Sequence, residues 1–307
     1  MSKLYVVSGD IDLKVNGWAE QKGFKRVPDW VFKGMREEFS GWMRQMFKGS
    51  FELVPWDGIL YGRESLVEDC GLSTISLDGF CYCDGQVFDI TRWVDEAGND
   101  CGLGHRKNVP LDEQLRVLSE TSPKEVALVD DVIYTGSHVE KVIDLLSRHG
   151  ICVRVVIAGI GIGQGIQRVK DLNVEVRCVR TYPEVIDEVC ERDFYPGVSM
   201  SGRSLVGGGN IGAPYLLPFG NPTKWASIPQ YFASDFSLRC IRLAKDLFHY
   251  IGRSSDPVRP IRCCDLSRGI VGLPKDETEV EHCLGHIQHK LAAGFESGPL
   301  DMEMHNC

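Results

Sequence analysis

The segment Val126-Ala-Leu-Val-Asp130-Asp131-Val-Ile-Tyr-Thr135-Gly136-Ser137-His138, together with residues 139–158, restricts this chain to few folds. The apolar residues Val126–Val129 predict a buried strand. From Ser137 to His149, Val139, Val142, Ile143 and Leu146 recur at helical spacing, and Gly150 supplies a C-terminal stop. Cys152–Ala158 predicts a second buried strand. Strand, loop, helix and strand from 126 to 158 form a βαβ unit, whose two strands must run parallel. The expected fold class is therefore α/β, a Rossmann-like parallel sheet flanked by helices.

The same segment carries chemistry. Asp130 and Asp131 stand at the C-terminal end of the strand, where open α/β sheets bind ligands. Thr135-Gly136-Ser137 then turns directly into a helix, whose N-terminus offers backbone N–H groups and the positive end of a dipole to a phosphate. Two carboxylates beside that point can accept hydrogen bonds from ribose hydroxyls. Adjacent acids at a buried strand end repel one another unless a cation or diol joins them. The pattern suits a sugar phosphate, with phosphate on the helix end and diol on the acids.

These residues resemble the phosphoribosyl diphosphate-binding motif of type I phosphoribosyltransferases: an apolar strand, Asp-Asp or Glu-Asp, two apolar residues, one variable residue, then Thr-Gly-x-Thr. The direct match covers Val126–His138, and the surrounding βαβ order extends it over 58–200. The resemblance implies the type I phosphoribosyltransferase fold, with additional N- and C-terminal elements. It implies that Asp130 and Asp131 hold the ribose 2′- and 3′-hydroxyls and act in catalysis. They would also contact Mg²⁺ indirectly, through ribose and diphosphate. Thr135, Gly136, Ser137 and His138 would cradle the 5-phosphate. His138 departs from the usual Thr or Ser, and Tyr134 fills the variable position, where some purine-salvage members carry an acid.

The family also holds the diphosphate in an earlier loop. Gly58-Ile-Leu-Tyr-Gly62, taken as a short strand ending in a glycine turn, makes Arg63, Glu64 and Ser65 the candidates for it. The polar stretch Asp95–Asn108 predicts a mobile loop ahead of a helix over Asp112–Glu120, with Arg106 and Lys107 as its cations. Tyr134, Ile160 and Gly161 are acceptor-pocket candidates. Phe194–Arg203, Gly207–Gly209 and Ala213–Phe219 are candidates for a hood over the acceptor. The implied activity is a Mg²⁺-dependent pentosyl transfer from 5-phosphoribosyl 1-diphosphate to an acceptor such as a nucleobase-like heterocycle. The alternative is a non-catalytic regulator of the same fold that binds the diphosphate or a nucleotide. A homodimer is left open.

Other features carry less. Gly159-Ile-Gly161-Ile-Gly163-Gln-Gly165 gives no register of G-x-G-x-x-G, because Gln164, Ile166 or Arg168 occupies the third glycine position, so a glycine-rich turn is expected there. No G-x-x-x-x-G-K-[ST] loop is present. His282, His286 and His289 fall on the polar side of a helix whose apolar face is Val280, Leu284, Ile287 and Leu291. Cys81-x-Cys83 and Cys263-Cys264 lack structural zinc spacing and are expected to be ordinary thiols.

Further helices are expected over Asp29–Met46, from Thr181-x-x-Glu184 through Cys190, over Phe236–Ile251 and over Asp276–Leu291, and a strand over Val174–Val179. The expected divisions are 1–57, a core of 58–200, and a loop-rich and helical extension of 201–307. The net charge of −9 and pI near 5.4 disfavour a nucleic-acid or anionic-membrane surface. No apolar run approaches the ~20 residues of a membrane span. The N-terminal hydrophobic stretch is too short for a signal peptide, and the 12 cysteines are scattered, with Cys152 and Cys178 in apolar runs. A reducing cytoplasmic setting is expected.

Overall fold

A computed structural model describes residues 3–77, 85–95, 97–106, 109–207 and 209–294. Two compact units emerge. One contains 55–91 and 103–185; the other contains 1–54, 92–102 and 186–307. The N- and C-terminal segments thus belong to one unit, together with 92–102.

The unit built on the βαβ segment contains α1 (Trp56–Cys70), β1 (Thr74–Ser76), β2 (Gln86–Val87), α2 (Leu111–Thr121), β3 (Glu125–Ile133), α3 (Ser137–Arg148), β4 (Cys152–Ile162), α4 (Gly163–Lys170) and β5 (Glu175–Tyr182). Its five-stranded sheet has the order β2-β1-β3-β4-β5, and every pairing is parallel. Central strand β3 is apolar in consecutive residues because both of its faces are covered. Val126 and Leu128 pack with Val139, Val142 and Leu146 of α3 and with Leu115 and Leu118 of α2. Ala127 packs, with Val155 and Ile157, against Leu66, Val67 and Cys70 of α1. The fold class is α/β, with helices on both faces of a parallel sheet.

Several expectations are corrected here. Gly58–Gly62 is not a strand and turn but part of α1. Its glycines serve different ends: Gly58 faces open space, whereas a Cβ on Gly62 would lie 2.5 Å from a Val179 methyl of β5. Gly62 therefore lets the helix lie close on the sheet. The glycine-rich run is not a turn either: Gly159 and Gly161 belong to β4, and Gly163 and Gly165 to α4. Cys152 is exposed, while Cys178 is half-buried and burial pushes its thiol up to about 11. The expected strand at Val174–Val179 appears as β5, and no helix follows Thr181. Val185-Ile-Asp-Glu-Val-Cys190 is a strand instead, with Asp187 and Val189 buried in alternation.

In the other unit, a three-stranded sheet places Leu4–Gly9 between Val185–Cys190 and Phe51–Pro55. Of the stretch expected as a mobile loop, Asp95–Asn108, residues Asp100–Gly104 form a strand beside Thr91–Val94 in a five-stranded sheet, and the Asp95 carboxylate accepts the Asn99 N–H at 2.8 Å. The expected helices appear as Asp29–Met46, Ala233–Ser254 and Val280–Ala292. His282, His286 and His289 are on the last of these, and no cluster of metal-ligating side chains occurs among the described residues. None of the described helices is long and apolar enough to cross a membrane. Cys81 and Cys83 lie outside the described residues, and the Phe194–Arg203 and Ala213–Phe219 segments belong to this unit.

Candidate functional site: the loop at the end of the central strand

Strand β3 sets Asp130 opposite Ala158 and Ile133 opposite Gly161 of β4, so both acids lie toward the C-terminal end of the sheet's middle strand. Asp130 is 7% exposed and Asp131 is half-buried. The Asp131 N–H donates to Asp130 Oδ1 at 3.0 Å, which offsets part of the cost of holding a carboxylate there.

After Ile133 the chain needs only Tyr134, Thr135 and Gly136 to enter α3. Gly136 has φ of +75°, the left-handed region that favours glycine, and it reverses the chain into the helix. The N-cap residue Gly136 brings no side chain to cap α3, and Thr135 Oγ1 accepts the Ser137 N–H at 3.5 Å; the first helical bond is Glu140 N–H to the Gly136 carbonyl at 2.9 Å. Thr135 is exposed, and its Oγ1 lies 3.1 Å from the Ser137 hydroxyl, so both hydroxyls share the mouth of the helix. An uncapped N-terminus with two hydroxyls beside it suits an anion.

The glycines of β4 and α4 position this loop. A Cβ on Gly159 would lie 2.9 Å from the Asp131 carbonyl, and one on Gly165 would lie 2.3 Å from the Tyr134 carbonyl and 3.0 Å from the Gly136 nitrogen. In return, a Cβ on Gly136 would lie 2.8 Å from the Gly165 carbonyl. Loop and helix α4 are therefore in backbone contact, glycine against glycine. Gly161 fits against the Cys178 sulfur and Ile166, at 2.5 and 2.8 Å from its own virtual Cβ.

Arg168 of α4 belongs to the same neighbourhood, and nothing in the sequence signals it beyond its place after the glycine run. Its Nη1 donates to the Thr135 carbonyl at 3.4 Å and its Nε pairs with Glu140 at 3.0 Å. Glu140 stands in the first turn of α3, and Arg168 compensates its charge there.

The remaining candidates are placed differently. Arg63 lies in α1, 1% exposed, with Nη1 3.4 Å from the Asp130 carbonyl and its guanidinium over the Trp56 ring, so it braces the backbone of β3. Glu64 is half-buried and Ser65 exposed on the same helix. Arg106 pairs with Asp89 at 3.2 Å, and Asp89 is fixed by Gln114 of α2, which accepts its N–H at 2.8 Å. Lys107 lies outside the described residues. Ile160 and Gly161 are buried inside the sheet, and Tyr134 is half-exposed.

No protein-family model and no curated protein matches the chain. Solved structures do. The adenine phosphoribosyltransferase of Rhodothermus marinus DSM 4252 is 17% identical over 40% of this chain and 77% of that one, with a TM-score of 0.27. The orotate phosphoribosyltransferase of Aeropyrum pernix is 17% identical over 45% and 76%, with a TM-score of 0.25. The adenine phosphoribosyltransferase of Thermoanaerobacter pseudethanolicus ATCC 33223 is 13% identical over 54% and 99%, with a TM-score of 0.29. All three are phosphoribosyltransferases. At such scores the likeness carries no weight of its own, and the site rests on the motif and on the parallel sheet that displays it.

Proposed function

We propose that this chain is a phosphoribosyltransferase of the type I family, which binds 5-phosphoribosyl 1-diphosphate at Asp130–His138 and transfers phosphoribose to a small acceptor such as a nucleobase-like heterocycle. One observation carries the proposal: two carboxylates near the end of the central parallel strand lead, through a left-handed glycine, straight into a helix N-terminus with no side-chain cap.

Thr135, Ser137, His138 and the N-terminus of α3 bind the 5-phosphate and so fix one end of the sugar. Asp130 and Asp131 accept hydrogen bonds from the ribose hydroxyls and fix the other. As the C1–O bond to diphosphate breaks and the C1–acceptor bond forms, positive charge grows on the ribose ring, and the adjacent carboxylates stabilise it. The chain offers carboxylates here but no cluster of three metal ligands among its described residues. Asp130 and Asp131 would hold a substrate-borne Mg²⁺ indirectly, through the ribose hydroxyls that they accept from. When bound, the ion supplies Lewis-acid stabilisation of the leaving diphosphate. The proposal includes a cytoplasmic setting, where such substrates and free thiols occur together.

Isothermal titration of the full chain with 5-phosphoribosyl 1-diphosphate and Mg²⁺ tests this. Binding is expected, with at least a tenfold loss in the variant carrying Asp130→Asn and Asp131→Asn, and a screen of heterocycles should then show acceptor-dependent release of diphosphate. No binding by the native chain would refute the proposal. Binding without release for any acceptor would favour the non-catalytic regulator.

A further inference from the structure

Cys263 and Cys283 belong to the unit that does not carry the phosphate cradle. Cys263 opens a short turn, Cys263–Asp265, and Cys283 lies in the first turns of the helix Val280–Ala292. Both are buried, and the Cys263 thiol donates to the Cys283 sulfur across 3.9 Å. A disulfide bond is about 2 Å long, so closure requires the two sulfurs to approach by roughly 2 Å.

The backbone already holds the two segments together. Cys263 N–H donates to the Thr278 carbonyl at 2.8 Å, Cys264 N–H to the Asp276 carbonyl at 2.9 Å, and Val280 N–H to the Ile261 carbonyl at 2.9 Å. Arg262 and Glu279 form an antiparallel bridge between them. The Trp18 indole N–H, donating to the Asp265 carbonyl at 2.9 Å, fixes the turn from its other side. Side-chain rotation and small backbone adjustments therefore suffice. A cavity of about 250 Å³ takes its wall partly from Ile261 and Glu279, two and four positions before the two cysteines in the chain.

We propose that Cys263 and Cys283 are a redox-active dithiol that hydrogen peroxide closes to an intramolecular disulfide. The hydrogen bond from Cys263 lowers the pKa of the Cys283 thiol and raises that of Cys263, which favours Cys283 as the attacking sulfur. Its thiolate takes one oxygen from the peroxide and becomes a sulfenic acid, while the other oxygen leaves as water. The Cys263 sulfur then displaces the sulfenic oxygen, which leaves as a second water, and the S–S bond forms. Two thiols lose two hydrogens and one peroxide becomes two waters. Cys264 is exposed, with its sulfur 3.6 Å from a Glu277 carboxylate oxygen, and takes no part.

The reduced full chain is treated with hydrogen peroxide, alkylated with N-ethylmaleimide, digested and analysed by mass spectrometry. The expected result is a peptide pair joined through Cys263 and Cys283, lighter by two hydrogens, absent without peroxide and lost on treatment with dithiothreitol. Cys264→Ser should leave the link intact, and Cys283→Ser should abolish it and leave Cys263 open to alkylation under denaturing conditions. The proposal is overturned if Cys263 and Cys283 remain as alkylatable after peroxide as before. A link made through Cys264 would overturn it too.

Discussion

Gly165→Ala tests whether α4 holds the phosphate loop in place. The added Cβ would lie 2.3 Å from the Tyr134 carbonyl oxygen, against a normal contact of at least 3.4 Å, so backbone must move by about 3.4 − 2.3 = 1.1 Å. Neither partner is a flexible side chain tip, and the Gly136 nitrogen at 3.0 Å blocks the nearest escape. Overpacking of this kind costs ~1–3 kcal/mol, partly offset by the ~1 kcal/mol by which alanine favours a helix over glycine. We expect a net destabilisation of about 0–2 kcal/mol by urea denaturation. The larger effect falls on ligand. Displacing the loop by about 1 Å stretches a hydrogen bond of roughly 2.9 Å past its useful range, and a hydrogen bond to a charged group contributes ~1.5–3 kcal/mol. Ribose 5-phosphate affinity, measured by isothermal titration, should fall about 10- to 100-fold. Gly163→Ala is the control: its Cβ meets the Pro183 carbonyl at 2.6 Å, away from the loop, so it should destabilise yet spare affinity. A Gly165→Ala protein that binds ribose 5-phosphate like the native chain would refute the claim that α4 positions the cradle.

Single residues support other expectations. Arg168→Gln should weaken ribose 5-phosphate binding about 5- to 20-fold by titration, with stability changed by less than ~1 kcal/mol because its pair with Glu140 is about half exposed; Arg154→Gln, which breaks an exposed pair with Glu125, should change neither. Gly58→Ala should stabilise the protein by ~0.5–1 kcal/mol in urea titration, since the position is helical and its Cβ meets nothing within 4 Å; destabilisation would contradict the helix. Glu191 is fully buried near Asp10 and Asp12, and burial raises its carboxyl to about 7 from 4.5 despite the Arg36 guanidinium bonded to it at 3.0 Å. The folded state then holds a proton that the unfolded state lacks between those pH values. Stability should fall as pH rises from about 4.5 to 7, by roughly 3 kcal/mol at ~1.4 kcal/mol per pH unit, and Glu191→Gln should remove that slope in urea titrations at stepped pH.

What the sequence disclosed, and what it hid, divides along the distance over which each feature is decided. Strand β3, helix α3 and strand β4 were legible because their cause is local: a β-branched run buried on both faces, then a helical stripe closed by Gly150. The proposed phosphate site is a reading of the same local kind, since its acids, glycine and hydroxyls succeed one another from Asp130 to Ser137. Glycine misled wherever it answered a distant neighbour. Gly62 resembles a turn but serves the contact of α1 with Val179, and Gly159 to Gly165 resemble a loop but clear the backbone of Asp131, Tyr134 and Pro183. Thr181 and Glu184 have the spacing of a helix cap, yet Val185–Cys190 becomes a strand beside Leu4–Gly9, with Ser8 bonded to Glu188 across 180 positions. Arg168 was hidden in the same way, because its partners Thr135 and Glu140 lie on another βα unit. The local motif therefore says which ligand chemistry the end of the sheet can hold. The residues that fix its shape come from α4, and variants there, more than variants within the motif, separate a cradle built for phosphate from a helix end that merely lacks a cap.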